Sequence, residues 1–128
     1  MNPPALPDAS KVGYSQISIA HPGPLAFVSG QVAWRPDGSP APASLAEQTA
    51  IVIENLKGAL AALQATTDDI AQMRIYMTDL RDETQEIAMG AILGFLNGAQ
   101  PSLTGIGVAA LAGPDLQIEV EMVVQVAA

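Results

Sequence analysis

Near the end of the chain the stretch "QIEVEMVVQ", residues 117 to 125, alternates so that Gln117, Glu119, Glu121 and Gln125 share one strand face and Ile118, Val120, Met122 and Val124 the other. Two carboxylates on one face can be a solvated surface, a general acid/base, or half of a pocket that needs a cation opposite. Other side chains suited to chemistry are few. Tyr14 stands near the start, Ser29 precedes Gly30, and Arg74 alternates with Tyr76 and Thr78 in "QMRIYMTD". A serine nucleophile would need a base. The lone His21 sits in the turn sequence "HPGP", where a surface position is expected.

The absence of cysteine excludes disulfides, thiolate catalysis and Cys-ligated metals, and a single His excludes His-rich sites. No metal or cofactor is expected. The chain has 128 residues, 49% hydrophobic and only 14% charged, with a net charge of −8. This composition fits one globular domain, residues 1–128, with apolar surface to spare for contacts between subunits. Five Lys and Arg cannot build a basic stripe, so nucleic acid is not an expected partner. "MNPPALPDAS" lacks the cationic start and apolar run of a secretory signal, and no apolar run is long enough to span a bilayer. A cytoplasmic protein without membrane contact is expected.

These side chains must be positioned by regular elements. Residues 1–12, with prolines at 3, 4 and 7, predict an extended arm. "YSQISIA" and "LAFVSGQVAW" predict a hairpin turning at "HPGP", the second strand being interrupted at Gly30. "RPDGSPAPA" is loop. Ser44 and Glu47 form a capping-box pattern that opens a helix with its buried stripe at Leu45, Val52, Leu56, Leu60 and Leu63. Residues 72–79 predict a strand with Met73, Ile75 and Met77 inward. A second helix runs from Asp82, with Gln85 as capping partner, through Ile87, Ala91 and Phe95 to "NG" at 97–98. Strands at 103–111 and 116–124 complete an α+β domain with helices on one face of a single sheet. The other face carries Tyr76 and Val123 and predicts a subunit contact.

The segments "GYSQ", "FVSGQVA", "EQTAIVIENLKGAL", "IYMTDL", "QPSLTGIGVAALA" and "IEVEMVV" resemble, in order and spacing, those of the Rid (YjgF) family of reactive-intermediate deaminases, which act on enamines and imines. The resemblance covers nearly the whole chain. It implies a chorismate-mutase-like fold with a mixed sheet. It also implies a homotrimer with a central β-barrel and a small-molecule cleft between each pair of subunits. In archetypal members a Tyr, a Ser in an "SGQ" turn, an Arg in a "P-x-R-S/T" segment and the first Glu of an "IEIE" strand surround the ligand. The matching positions are Tyr14, Ser29, Leu103 and Glu119. Leu103 thus stands where the pattern carries arginine, and Met89 falls where members often supply an asparagine. Backbone near Gly105 would shape the same pocket.

The departure at Leu103 matters because a guanidinium grips a carboxylate through two parallel hydrogen bonds, and leucine offers none. Losing one partner of a buried charge pair costs about 3–5 kcal/mol. Arg74 is then the first candidate for a surrogate anchor, its alternative being an ion pair with a glutamate of its own face; Trp34 and Met89 are candidates to line a more apolar pocket. Glu121 is read as structural. Two functions follow from the resemblance. One is a hydrolytic deaminase of enamines or imines not held through an α-carboxylate, with Glu119 orienting water. The other is a noncatalytic ligand-binding or interaction trimer on the same scaffold.

Overall fold

A computed structural model of the chain describes residues 1–127. Its strands and helices are β1 (Leu25–Gln31), α1 (Leu45–Ala62), β2 (Ile70–Met77), α2 (Asp82–Leu96), β3 (Ser102–Gly107) and β4 (Ile118–Gln125), with short 3₁₀ turns at Ala9–Val12 and Thr67–Asp69. The sheet has the order β1-β4-β2-β3. β4 pairs antiparallel with β1 and β2, while β2 and β3 are parallel and joined through α2, giving one mixed sheet.

Alternation, strict in β4 and broken in β2 by a register shift after Ile70, buries Ile70, Met73, Ile75 and Met77 of β2 and Ile118, Val120, Met122 and Val124 of β4 against Val52, Leu56, Leu60, Ala88, Ile92 and Leu96 of the helices. Both helices therefore cover one face, as the α+β reading expects. The opposite face is open: Phe27 is 76% exposed there, beside Val123.

Ser44 caps α1 by accepting from the Glu47 amide at 3.1 Å. Glu47 meets the Ser44 hydroxyl at 3.1 Å, a variation on the expected bond to the Ser44 amide. α2 begins at Asp82 as predicted, but its cap uses Thr84 instead of Gln85. The Arg81 amide donates to Thr84 Oγ1 at 2.9 Å, and that hydroxyl donates to Asp79 O at 2.7 Å. Burying Thr84 rotates the helix, so Thr84, Ala88, Ile92 and Leu96 face inward, one position on from the predicted Ile87, Ala91 and Phe95. Ala91 and Phe95 still pack at the edge of the core, whereas Ile87 is exposed. Asn97, with φ of 47°, ends the helix in the left-handed conformation, as "NG" predicts.

The predicted hairpin does not form. Residues 14–20 do not pair with β1, whose ladder runs to β4; they lie along β3, touching it through a single parallel bridge, Ser15 to Ser102. The hydroxyls of Ser18 and Ser102 are 2.9 Å apart, and Ile17 pairs with Met1 through bonds of 2.6 and 3.1 Å. The alternation of Ile17 and Ile19 gives no buried face: they are 39% and 69% exposed. The expected extended arm contains a turn from Pro3 to Leu6 and the first 3₁₀ turn, which buries Ala9.

Candidate functional site

The site begins with a defect in strand pairing. Val28 faces Met122 but Gln31 faces Val120, so β1 carries one residue more than β4 between them, a bulge at Ser29 and Gly30. The Glu119 side chain lies over this bulge. A Cβ at position 30 would stand 2.5 Å from Glu119 Cδ and 2.6 Å from Oε2, so only glycine leaves room for that carboxyl group. Among the described residues Glu119 makes no ion pair and no side-chain hydrogen bond.

Glu121, two residues on, is held at one of its two oxygens. Tyr76 donates its hydroxyl to Glu121 Oε1, and Arg74 Nη1 lies 3.5 Å from the same oxygen. The bond to Glu121, reinforced by partial desolvation and by the carboxylate's charge, holds the Tyr76 phenol above its usual pKa. Arg74 thus makes the ion pair that was the alternative to an anchoring role. It borders a hollow of about 360 Å³ together with Phe27, Ser29, Gln72, Glu121 and Val123, so Ser29 and Arg74 do come together.

Tyr14 is set by its neighbours on both sides. Gly13 takes φ of 91° and lies so close to α2 that a Cβ there would be 2.4 Å from Leu93 Cδ2, while the Tyr14 amide donates to Ala9 O at 3.2 Å. Tyr14 shares a hollow of about 500 Å³ with Gln16, Ser18, Gln72, Leu103 and Thr104. Leu103 pairs with Met73, and its side chain packs with Met89 on the main core, on the helix-covered side. Gly105 pairs with Ile75, and a Cβ placed there would meet nothing within 4 Å.

One protomer therefore brings together Ser29 with Arg74 and Tyr14 with Leu103, but not the two groups with each other. β1 and β3 are opposite edges of a four-stranded sheet, about 14 Å apart at strand spacing. A roomier hollow of about 810 Å³, lined by Gln31, Trp34, Arg35, Glu47, Glu54 and Asn55, does not include Glu119 in its wall. Its carboxylates are committed, Glu47 to the α1 cap and Glu54 to Lys57 at 3.4 Å.

Two contributors go unnoticed in the sequence. Gly30 reads as a strand interruption; a Ser-Gly pair inside an otherwise alternating run is the signal of a bulge. Gln48 is fully buried. It donates to Pro42 O at 2.9 Å and Asp115 O at 2.7 Å and accepts from the Gln117 amide at 2.9 Å, fixing the entry to β4 just before Glu119. A polar residue among α1's apolar positions is its only trace. Among the described residues no helix is long and apolar enough to cross a membrane.

The family model described as Endoribonuclease L-PSP matches residues 5–126. The RutC family protein YjgH of Escherichia coli is 38% identical over 98 residues, covering 77% of this chain and 74% of that protein. The E. coli protein named "Putative reactive intermediate deaminase TdcF" is 33% identical over 60 residues, 47% of this chain and 46% of that one. The crystal structure of YyfB from Yersinia pestis, of the Rid protein family, superposes with a TM-score of 0.88 at 31% identity, covering 98% of this chain and 96% of that one. With its mixed sheet, its two helices on one face and this match over nearly its full length, the chain belongs to the Rid (YjgF) family.

Proposed function

We propose that the protein is a hydrolytic deaminase of small enamines or imines that carry no α-carboxylate, working in clefts between the subunits of a homotrimer. The observation that carries this reading is the unpartnered carboxylate of Glu119, lodged over Gly30 while its neighbour Glu121 is bound by both Tyr76 and Arg74. A carboxylate without a protein partner is free to hold a water. It takes one proton as the water oxygen bonds to the carbon of the protonated C=N group and the π electrons pass to nitrogen; it returns that proton to the amine of the carbinolamine, whose C–N bond breaks to release ammonia as the hydroxyl sheds its proton and becomes C=O. An enamine enters after protonation at carbon.

The positions that match the family's carboxylate-binding Arg and its Asn are Leu103 and Met89, both packed on the apolar core. Neither offers a donor to a substrate carboxylate, and Arg74 is paired with Glu121. The separation of Ser29 from Tyr14 and Leu103 at opposite sheet edges supports a cleft completed by a second copy, as does the exposed Phe27 on the open face. The family model's description names a ribonuclease, but with five cationic side chains and a net charge of −8 this chain has little means to neutralise a phosphate backbone.

The test is hydrolysis of imines generated in situ from a neutral amine and from an amino acid, with Glu119→Gln as reference. Faster turnover of the amine-derived imine by wild type, lost in the variant, is expected. Equal rates in the two proteins would leave only a ligand-binding role. Sedimentation as a monomer would remove the intersubunit cleft.

A further inference from the structure

Building on that reading of the cleft, we propose that the crevice between β3 and α2 is an apolar slot whose capacity is set by Gly105. Its preferred substrates are then uncharged imines and enamines bearing a branched or aromatic hydrocarbon group. Residues 103, 105 and 107 of β3 pair with Met73, Ile75 and Met77, so all three turn to the helix-covered side. Leu103 fills its place by packing on the core. Gly107 has its place filled from outside: a Cβ there would be 3.3 Å from Leu80 Cβ and 3.4 Å from Cδ2. Above Gly105 there is nothing within 4 Å. Two glycines in one strand thus differ, and the vacancy is confined to position 105, between Leu103 and Leu80, about 7 Å from the next position on either side.

α2 supplies the facing wall. It runs antiparallel to β3, so Leu93, which touches Gly13 beside Tyr14, lies near the start of β3. Met89 is one helical turn earlier, about 6 Å back along the axis, which carries it about two residues along β3, toward Gly105. Leu103, Leu80 and Met89 carry no charge, and methionine adapts to irregular apolar groups. Arg74, Glu119 and Glu121 project from the opposite face of the same sheet. Glu119 then meets a substrate held in the slot from a neighbouring copy. Gly105 is exposed, so the slot opens at the β3 edge, where such a copy would stand.

The experiment compares imines released by an amine oxidase from 2-phenylethylamine and from ethylamine, measured for wild type, Gly105→Ala and Gly105→Val. Wild type is expected to favour the larger imine. A valine in the slot lowers that preference about tenfold or more, with alanine intermediate, since single methylenes in a fitted pocket change discrimination by that order. Gly94→Ala, at an exposed helix position with nothing within 4 Å, is the control and keeps the preference. A preference unchanged by valine, or a wild type that favours the smaller imine, overturns the slot. If Glu119→Gln hydrolyses both imines as fast as wild type, hydrolysis fails as the function, and the slot is judged by calorimetry with phenylacetamide. Binding that weakens about tenfold in Gly105→Val upholds it; no binding to wild type, or equal binding to both, overturns it.

Discussion

Glu119 and Glu121 share one face of one strand, two residues apart, and their surroundings are opposite. At Glu121 the neighbouring strand supplies a phenol and a guanidinium, and the carboxylate is held from both. At Glu119 the in-register neighbour is Tyr76, whose hydroxyl turns to Glu121, and on the other side a bulge offers only the Cα of Gly30. Side-chain type does not separate a structural acid from a candidate catalytic one here. What separates them is one extra residue in the adjoining strand, which leaves space where a partner would otherwise stand.

The largest effect is expected from neutralising each acid in turn. Glu119→Gln should lower imine hydrolysis about 10²–10⁴-fold, the range for a lost general base, whereas Glu121→Gln should keep most of the activity and lose its effect on the Tyr76 phenol. Equal losses in the two variants would erase the distinction. Gly30→Ala should follow: its Cβ forces the Glu119 carboxyl aside by about an ångström, a displacement of the size that costs about 10²-fold in rate. Circular dichroism would show whether the sheet is retained. Full activity in a folded Gly30→Ala protein would mean that the position of Glu119 over the bulge is irrelevant.

Stability should respond next, through Gln48. Gln48→Ala removes three hydrogen bonds and strands the Gln117 amide two residues before Glu119. Leaving a buried donor unmatched costs about 1–3 kcal/mol, to be read from the urea midpoint. The activity loss should exceed what unfolding explains if the entry to β4 also sets Glu119. A drop in stability with normal turnover of the folded fraction would confine Gln48 to the scaffold.

Much of the fold was legible because its signals were local. Ser44 announced α1, "NG" stopped α2, and alternation in β2 and β4 assigned Met73, Ile75, Met77 and both glutamates to their faces. The failures were of partnership. "YSQISIA" alternates like a strand, yet β1 takes its ladder not from this neighbour but from β4, 96 residues on by the pairing of Phe27 with Val123. The rotation of α2 depended on a hydroxyl at Thr84 reaching back to Asp79, which periodicity alone cannot weigh against Ile87. At the site, the candidate residue types were legible. The state of each acid was not, because register across a bulge decides whether Glu119 faces a side chain or a vacancy.

The smallest effect belongs to the occupied end of the face. The hydrogen bond to Glu121 raises the Tyr76 pKa above its ordinary 10.0, with desolvation and the carboxylate charge adding to it and Arg74 opposing it. A phenol whose folded pKa exceeds its unfolded value binds its proton more tightly in the native state. Its contribution is therefore complete below pH 10 and declines as pH rises through the elevated folded value. Because the group is only half-buried, the change in stability should be slight, and phenolate absorbance is the better reading. Subtracting the alkaline titration of Tyr76→Phe from that of wild type isolates this one ring. Its midpoint should lie above 10 and move down in Glu121→Gln, where a neutral amide replaces the charged acceptor. An unmoved midpoint would mean that Tyr76 does not hold Glu121, and the contrast between the two glutamates would then rest on Arg74 alone.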